Sequence, residues 1–131
     1  MQTVAQALQR LQRSAFRSKF HLSAQERAYV ASRGMEVIRC HAQALIAQRL
    51  APAYPKKDGA QTPLHGHPVF VAQHACACCC RSCLQKWYRV PKGVPLTEVQ
   101  QQRIVSLLLG WIEAEMKNSL GKMQQNEKNN E

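Results

Sequence analysis

Residues 35–50 read MEVIRCHAQALIAQRL, and this stretch decides the fold class. Its apolar side chains recur every three or four positions, the spacing that places them on one face of an α-helix. These positions are Met35, Ile38, Ala42, Leu45, Ile46 and Leu50. The pattern therefore predicts an amphipathic helix of about four turns, with one face turned towards a core.

Two more helices are predicted before this stretch. Apolar residues at helical spacing indicate a helix over residues 3–17. Ser23 and Glu26 have the spacing of a capping box, in which each side chain satisfies a backbone N–H at a helix start. We expect the second helix to cover residues 23–33 and to end at Gly34.

The second half of the chain predicts further helices and no strong strand pattern. One helix could run from residue 69 to residue 88 and carry the cysteines. The last helix begins at a capping box of Thr97 and Gln100 and has a broad apolar face. That face comprises Ile104, Leu107, Leu108, Trp111, Ile112 and Met116. The fold class predicted is all-α, a small single-domain bundle of about four to five helices.

A long loop interrupts this helical pattern. Between residues 51 and 68, prolines and glycines exclude regular structure; they are Pro52, Pro55, Pro63, Pro68, Gly59 and Gly66. A loop of this length in a small domain is usually functional or tied down by other groups. We expect it to be tied to the cysteine-rich helix, within a domain of residues 1–117. The polar residues 118–131 are expected to form a disordered tail.

The charge of the chain is strongly positive and unevenly distributed. The formal net charge is +10, of which residues 1–50 carry +6, residues 51–96 carry +5 and residues 97–131 carry −1. A basic body suits a polyanionic partner, most commonly nucleic acid, DNA or RNA. An acidic protein surface would explain the charge equally well, and so would a solvated basic surface. The candidate phosphate-binding residues are Arg10, Arg13, Arg17, Lys19, Lys56 and Lys57.

Several observations place the protein in the cytoplasm. No run of about 18 apolar residues predicts a membrane span. The N-terminal residues lack the apolar stretch of a signal peptide. Five of the six cysteines fall within residues 76–83, whereas a secreted disulfide framework scatters them. We therefore expect reduced thiols in a reducing compartment.

Cysteines crowded beside histidines are typical of a metal or thiol site. The favoured ligand set is His67, His74, Cys80 and Cys83, within a metal-site segment of residues 65–83. The competing ligands are Cys79, His41 and Cys76. Mixed histidine and cysteine ligation favours zinc over iron.

Three other interpretations of the cysteine cluster stay open. An iron–sulfur cluster has enough thiolates, although their spacing is not that of a ferredoxin. A reactive thiol could be activated by Arg81. Several cysteines could instead be small buried hydrophobic residues. The sequence thus leaves two functions: a zinc protein that binds nucleic acid, or a metal- or thiol-dependent enzyme. The enzyme would use the cluster His67, His74, Cys79, Cys80 and Cys83.

Two long strings, GHPVF-x-AQHA at residues 66–75 and CCR-x-CL-x-KW at residues 79–87, resemble a known family. It is a family of small bacterial proteins known only as a domain of unknown function, and the resemblance runs from about Phe16 to Trp111. It implies small residues at the positions of Cys76 and Cys78, which favours a histidine and cysteine zinc site over an iron–sulfur cluster. The positions that match the family pattern are His41, His67, His74, Cys79, Cys80 and Cys83. The resemblance implies no activity.

Overall fold

The computed structural model describes residues 2–129 of the chain, with side chains as far as Asn118. Within these residues the chain forms six α-helices, one short 3-10 helix at Arg17–Lys19 and no strand. The α-helices are α1 Val4–Gln12, α2 Ala24–Arg33, α3 Met35–Arg49, α4 Pro68–Ala75, α5 Arg81–Tyr88 and α6 Glu98–Asn129. The all-α prediction is confirmed, with one helix more than expected.

The core lies where α6 packs against α3, α4 and α1. Ile38 and Ile46 of α3 are fully buried there, as are Leu108 and Ile112 of α6. Burying a side chain of this size contributes about 1.5–3 kcal/mol each. The apolar faces predicted for the third and the last helix are therefore the faces that form the core.

A glycine lets α1 approach α6 closely. A Cβ atom added at Gly110 would lie 2.8 Å from Cγ1 of Val4, closer than real Cβ contacts allow. Glycine costs about 1 kcal/mol relative to alanine inside a helix. The close crossing explains why glycine is used here, and it brings α1 alongside the first half of α6.

The predicted helix starts are confirmed by their hydrogen bonds. Ser23 Oγ accepts from the N–H of Glu26 over 3.1 Å, and the Glu26 carboxylate accepts from the N–H of Ser23 over 2.8 Å. Thr97 and Gln100 make the same pair of bonds over 3.1 and 2.9 Å. Gly34 ends α2 with φ +84°, in the left-handed region that favours glycine.

The predicted helix over residues 3–17 is wrong over its last five residues. Helix α1 ends at Gln12, and the 3-10 helix Arg17–Lys19 follows. Ser14 explains the difference, because its Oγ accepts from the backbone N–H of Arg17 over 3.1 Å. Such a local bond offers the backbone an alternative to a continued helix.

The predicted single helix over residues 69–88 is also wrong. Helix α4 ends at Ala75 and α5 begins at Arg81, with residues 76–80 between them. Ala77 has φ +58°, a left-handed conformation that interrupts a right-handed helix. Nε2 of Gln73 donates to the carbonyl of Cys78 over 3.1 Å and holds the break in place.

The loop between α3 and α4 is tied down by protein side chains. Arg81 is only 1% exposed, and its guanidinium donates to backbone carbonyls of two separate segments of the chain. On one side it binds the first loop carbonyls, at Leu50, Ala51 and Pro52; on the other it binds those of Pro91 and Val94. One side chain thus fastens the start of the loop to the segment that follows α5.

None of the helices in the described part of the chain is long and apolar enough to cross a membrane. The predicted tail over residues 118–131 lies almost entirely where no side chains are described, and its last two residues lie outside the described part. Its disorder stays a prediction.

Candidate metal centre

Three cysteines meet at the junction of α4 and α5. Cys79 and Cys80 lie in the break between the two helices, and Cys83 lies in the first turn of α5. The Sγ atom of Cys83 is 3.5 Å from Sγ of Cys79 and 3.4 Å from Sγ of Cys80. All three sulfur atoms lie within 4.8 Å of one another. We call these residues the thiol cluster.

The spacing of the thiol cluster fits a single metal ion. A tetrahedral zinc ion with Zn–S bonds of about 2.3 Å separates its ligand sulfurs by about 3.8 Å. The two distances from Cys83 are a few tenths of an ångström shorter than this value, and the sulfurs of Cys79 and Cys80 lie within 4.8 Å of each other. Cys79 and Cys80 are buried and Cys83 is half-buried, so the cluster is shielded but reachable. It could therefore supply three thiolate ligands to a metal ion.

The loop helps to position the cluster. Thr62 Oγ1 donates to the carbonyl of Cys79 over 2.8 Å, and Nε2 of Gln73 lies 3.4 Å from the same hydroxyl. Both side chains are buried. The backbone of the cysteine segment is thus held by the loop on one side and by α4 on the other.

Arg17 brings a positive charge to the thiol cluster. Its guanidinium donates to Sγ of Cys83 over 3.2 Å, lies 3.8 Å from Sγ of Cys79, and donates to the carbonyl of His74 over 2.6 Å. Burial lowers the pKa of Arg17, and the hydrogen bonds to Cys83 and Cys79 outweigh that effect and raise it. Three thiolates around a divalent cation leave one negative charge, which this guanidinium would neutralise.

The thiol of Cys80 resists ionisation without a cation. Burial raises the pKa of Cys80, because the charged thiolate is less favourable away from water. A bound metal reverses this effect, since coordination deprotonates a thiol. Metal binding at the cluster would therefore release protons.

Cys76 and Cys78 belong to the core. Both are fully buried, and burial raises the pKa of each thiol well above its ordinary value. The hydroxyl of Tyr88 donates to the carbonyl of Cys76 over 2.6 Å, which fixes the segment against α5. The predicted competitor Cys76 is not part of the cluster, because the chain turns at Ala77. The sixth cysteine, Cys40, is exposed on α3.

His41 and His67 form a separate pair at the start of α4, at the opposite end of this helix from the cysteines. Nδ1 of His67 accepts from the N–H of Val69 over 3.0 Å and so caps the start of α4. Its Nε2 lies 3.0 Å from Nδ1 of His41. Since Nδ1 of neutral His67 carries no proton, its Nε2–H donates to His41. Burial lowers the pKa of His67, and the neighbouring His41 lowers it further.

The side chain of His74 contacts groups outside the thiol cluster. Its Nε2 donates to the carbonyl of Thr62 over 3.0 Å, and its ring stacks on Phe20 with 5.7 Å between centroids. The structure therefore brings together Cys80, Cys83 and the competitor Cys79, and it does not bring His67 or His74 into the same group of possible ligands.

A protein-family model described as a domain of unknown function, DUF4186, matches residues 5–113. The match covers most of the chain. This protein belongs to the DUF4186 family. No solved structure matches the chain. The family assignment confirms the resemblance seen in the sequence.

The predicted phosphate-binding residues of this DUF4186 domain differ in their exposure. Arg17 is 8% exposed and contacts the thiol cluster, so it is not available to a phosphate. Arg10 is exposed, and its guanidinium donates to the carbonyl of Trp87 over 2.7 Å. Lys19 lies 4.7 Å from the ring of Phe16. The remaining three are exposed, with Arg13 just past α1 and Lys56 and Lys57 in the loop.

Sequence reasoning about the DUF4186 domain chose the wrong arginine as the partner of the cysteines. Arg81 lies within the cysteine segment, but its guanidinium binds loop carbonyls. The arginine that contacts the thiols is Arg17, which is 66 residues from Cys83 in the chain. No local pattern marks such a contact, because it depends on how the 3-10 helix packs against α4.

Proposed function

We propose that this DUF4186 protein binds a single zinc ion through the thiolates of Cys79, Cys80 and Cys83. The observation that carries this proposal is the closeness of the three sulfur atoms. Sγ of Cys83 lies 3.4 Å from Sγ of Cys80 and 3.5 Å from Sγ of Cys79. Cysteine thiolates are preferred zinc ligands. The guanidinium of Arg17 supports the proposal, because it offsets the charge that three thiolates leave on the ion.

Zinc is favoured over an iron–sulfur cluster. An iron–sulfur cluster is usually held by four cysteines, and these bind at least two different iron atoms. The two further cysteines of the segment, Cys76 and Cys78, are fully buried in the core. Sulfurs separated by 3.4–3.5 Å suit one ion better than several. Since soft thiolates also select copper(I), the metal identity needs a direct measurement.

One observation favours the alternative function, a metal-dependent enzyme. Three protein ligands leave a fourth coordination position, as in catalytic zinc sites. However, the large groove on the domain is lined by Cys78 and by none of the three ligands. His67 and His74, which the enzyme hypothesis placed in the same cluster, have other partners. We therefore propose that the zinc ion joins α5 to the segment before it, and we do not assign it a catalytic role.

We also propose that the protein binds nucleic acid through its basic surface. This proposal is supported by the net charge of +10, because the excess of basic over acidic residues lies entirely within residues 1–96. Such a surface attracts phosphates and raises the rate of encounter with a polyanion. The proposed contacts no longer include the buried Arg17, nor Lys56 and Lys57, which do not line the large groove.

The thiol cluster supports a reducing compartment such as the cytoplasm. Three thiols at this separation bind an ion only while they stay reduced. We propose this location on the chemistry of the cluster.

Elemental analysis of the purified protein, without a histidine tag, tests the zinc site. We expect about one zinc per chain, the stoichiometry of a single tetrahedral site. Cys79→Ser and Cys83→Ser should lose the metal, whereas the matched control Cys40→Ser should keep it. Zinc retained by Cys83→Ser, or iron or copper in place of zinc, would overturn the assignment.

Measuring the binding of mixed-sequence nucleic acid across a series of salt concentrations tests the proposed nucleic-acid binding. Affinity should fall steeply as salt rises, because each phosphate contact releases counterions. Absence of binding at low salt would overturn it without affecting the zinc site.

A further inference from the structure

A groove of about 1220 Å³ opens between α1, α5 and the first half of α6. Its charged lining is entirely cationic, since none of the described residues around it is an aspartate or a glutamate. The cations are Arg10, Lys86, Arg89 and Arg103. The whole chain carries eight acidic residues, so their absence from so large a groove concentrates positive potential there.

The remaining lining of the groove is largely apolar and aromatic. Trp87 and Tyr88 lie at the end of α5, and Ile104 and Leu107 face them from α6. Trp87 is half-buried, so part of its ring stays accessible. The groove therefore combines a cationic rim with two partly accessible aromatic side chains, Trp87 and Tyr88, on which a planar ring can stack.

We propose that this groove binds a single-stranded segment of nucleic acid, which deepens the proposed nucleic-acid binding and rests on it. Sites for single strands combine a positively charged groove, which follows the phosphates, with aromatic side chains that stack on exposed bases. A duplex keeps its bases turned inward, so it would leave Trp87 and the apolar wall unmatched. Charge and shape together favour the single strand.

The cations of the groove divide into two roles. Arg10 lies 4.9 Å from the centroid of the Trp87 ring and binds the Trp87 carbonyl, so it holds α1 against the end of α5. Lys86 and Arg103 are exposed on α5 and α6, on facing sides of the groove. They are the phosphate contacts that can be removed without disturbing the wall.

Fluorescence anisotropy with a labelled mixed-sequence oligonucleotide tests the groove, using single strands and the matching duplex. The test variant is Lys86→Gln with Arg103→Gln, and the matched control is Lys56→Gln with Lys57→Gln, which removes the same charge from the loop. We expect the wild type to prefer the single strand. The groove variant should flatten the slope of log affinity against log salt by about 1.4, since each phosphate contact on a single strand contributes about 0.7. The loop variant should keep the wild-type slope.

The outcomes separate this inference from the function on which it rests. No binding of either form by the wild type would overturn nucleic-acid binding as a whole. If binding weakened only in the loop variant, the groove would not be the binding site. Tighter binding of the duplex would contradict the proposed preference for single strands. Binding of anionic phospholipid vesicles instead of oligonucleotide, lost in the groove variant, would reassign the groove to a membrane surface.

Stacking gives a second readout. In the Trp111→Phe variant, Trp87 is the only tryptophan left. Its fluorescence should be quenched when the single strand binds. Unchanged fluorescence at saturation would contradict the placement of bases in the groove.

Discussion

The guanidinium of Arg17 lies 3.2 Å from Sγ of Cys83, although 66 residues separate them in the chain. The same guanidinium binds the carbonyl of His74 at the end of α4. A buried arginine thus connects the 3-10 helix to the thiol cluster. This contact links the first part of the domain to the site that we propose for zinc.

Replacing Arg17 should weaken metal binding. Arg17→Met removes the charge that offsets the thiolates, and we expect the zinc affinity to fall by roughly tenfold to a hundredfold, the usual effect of losing a group that supports the ligands. Arg17→Lys should recover part of the loss. Competition with a chromophoric chelator measures the affinity, with the exposed Arg13→Met as the control. An affinity equal to that of the control would contradict the role of Arg17.

Replacing Arg81 should destabilise the fold itself. Arg81→Met leaves the buried carbonyls of Leu50 and Ala51 and three partly buried carbonyls without this donor, and we expect the free energy of unfolding to fall by about 3 kcal/mol. Urea unfolding of the zinc-free protein measures this loss separately from metal binding. The exposed Arg39→Met serves as the control, and equal stability of the two variants would show that the loop does not depend on Arg81.

The lowered pKa of His67 should make the stability of the fold depend on pH. Burial lowers the pKa of folded His67 below its ordinary value of 6.5, so the unfolded chain binds more protons as the pH falls. The contribution of neutral His67 to the free energy of unfolding is fully present above about pH 6.5. It is lost as the pH falls from there through the lower pKa of His67 in the folded protein.

His67→Asn tests this dependence, because asparagine can still cap α4 while it does not titrate. The urea midpoint of the wild type should fall more between pH 7.5 and pH 5.5 than that of the variant. His65→Asn, on the exposed part of the loop, should behave as the wild type. Equal pH dependence in the wild type and His67→Asn would refute the assignment.

The cysteines should differ sharply in their reaction with iodoacetamide. In the zinc-loaded protein we expect rapid labelling only at the exposed Cys40. Removal of zinc should make Cys83 the next to react, because it is half-buried. Cys76 and Cys78 should stay unlabelled until the protein unfolds, since burial keeps both as protonated thiols. Mapping by mass spectrometry would contradict this order if either core cysteine were labelled as fast as Cys40.

Much of the fold could be predicted because its signals are local. The apolar face of residues 35–50 and the capping boxes at Ser23 and Thr97 each depend on residues within one helix. The break between α4 and α5 could not be predicted in this way. It depends on the left-handed Ala77 and on the Gln73 side chain, and alanine carries no signal for that conformation.

The site was only partly predictable for the same reason. The crowding of cysteines in residues 76–83 indicated a metal or thiol site, but the choice among them required knowing where the helix breaks. With a continuous helix, Cys76 would lie near Cys80 and Cys83. The observed turn instead places Cys76 in the core and Cys79 in the thiol cluster. Arg17 could not be found, because its contact spans most of the domain.

The absorption spectrum of the cobalt(II)-substituted protein tests the central claim most directly. Cobalt replaces zinc and reports both the geometry and the ligands of its site. We predict the intense visible bands of a tetrahedral ion, with thiolate charge-transfer bands that weaken in Cys79→Ser, Cys80→Ser and Cys83→Ser and persist in His67→Asn and Cys40→Ser. A weak octahedral spectrum, or bands that depend on His67 and not on Cys83, would contradict zinc binding by the thiol cluster.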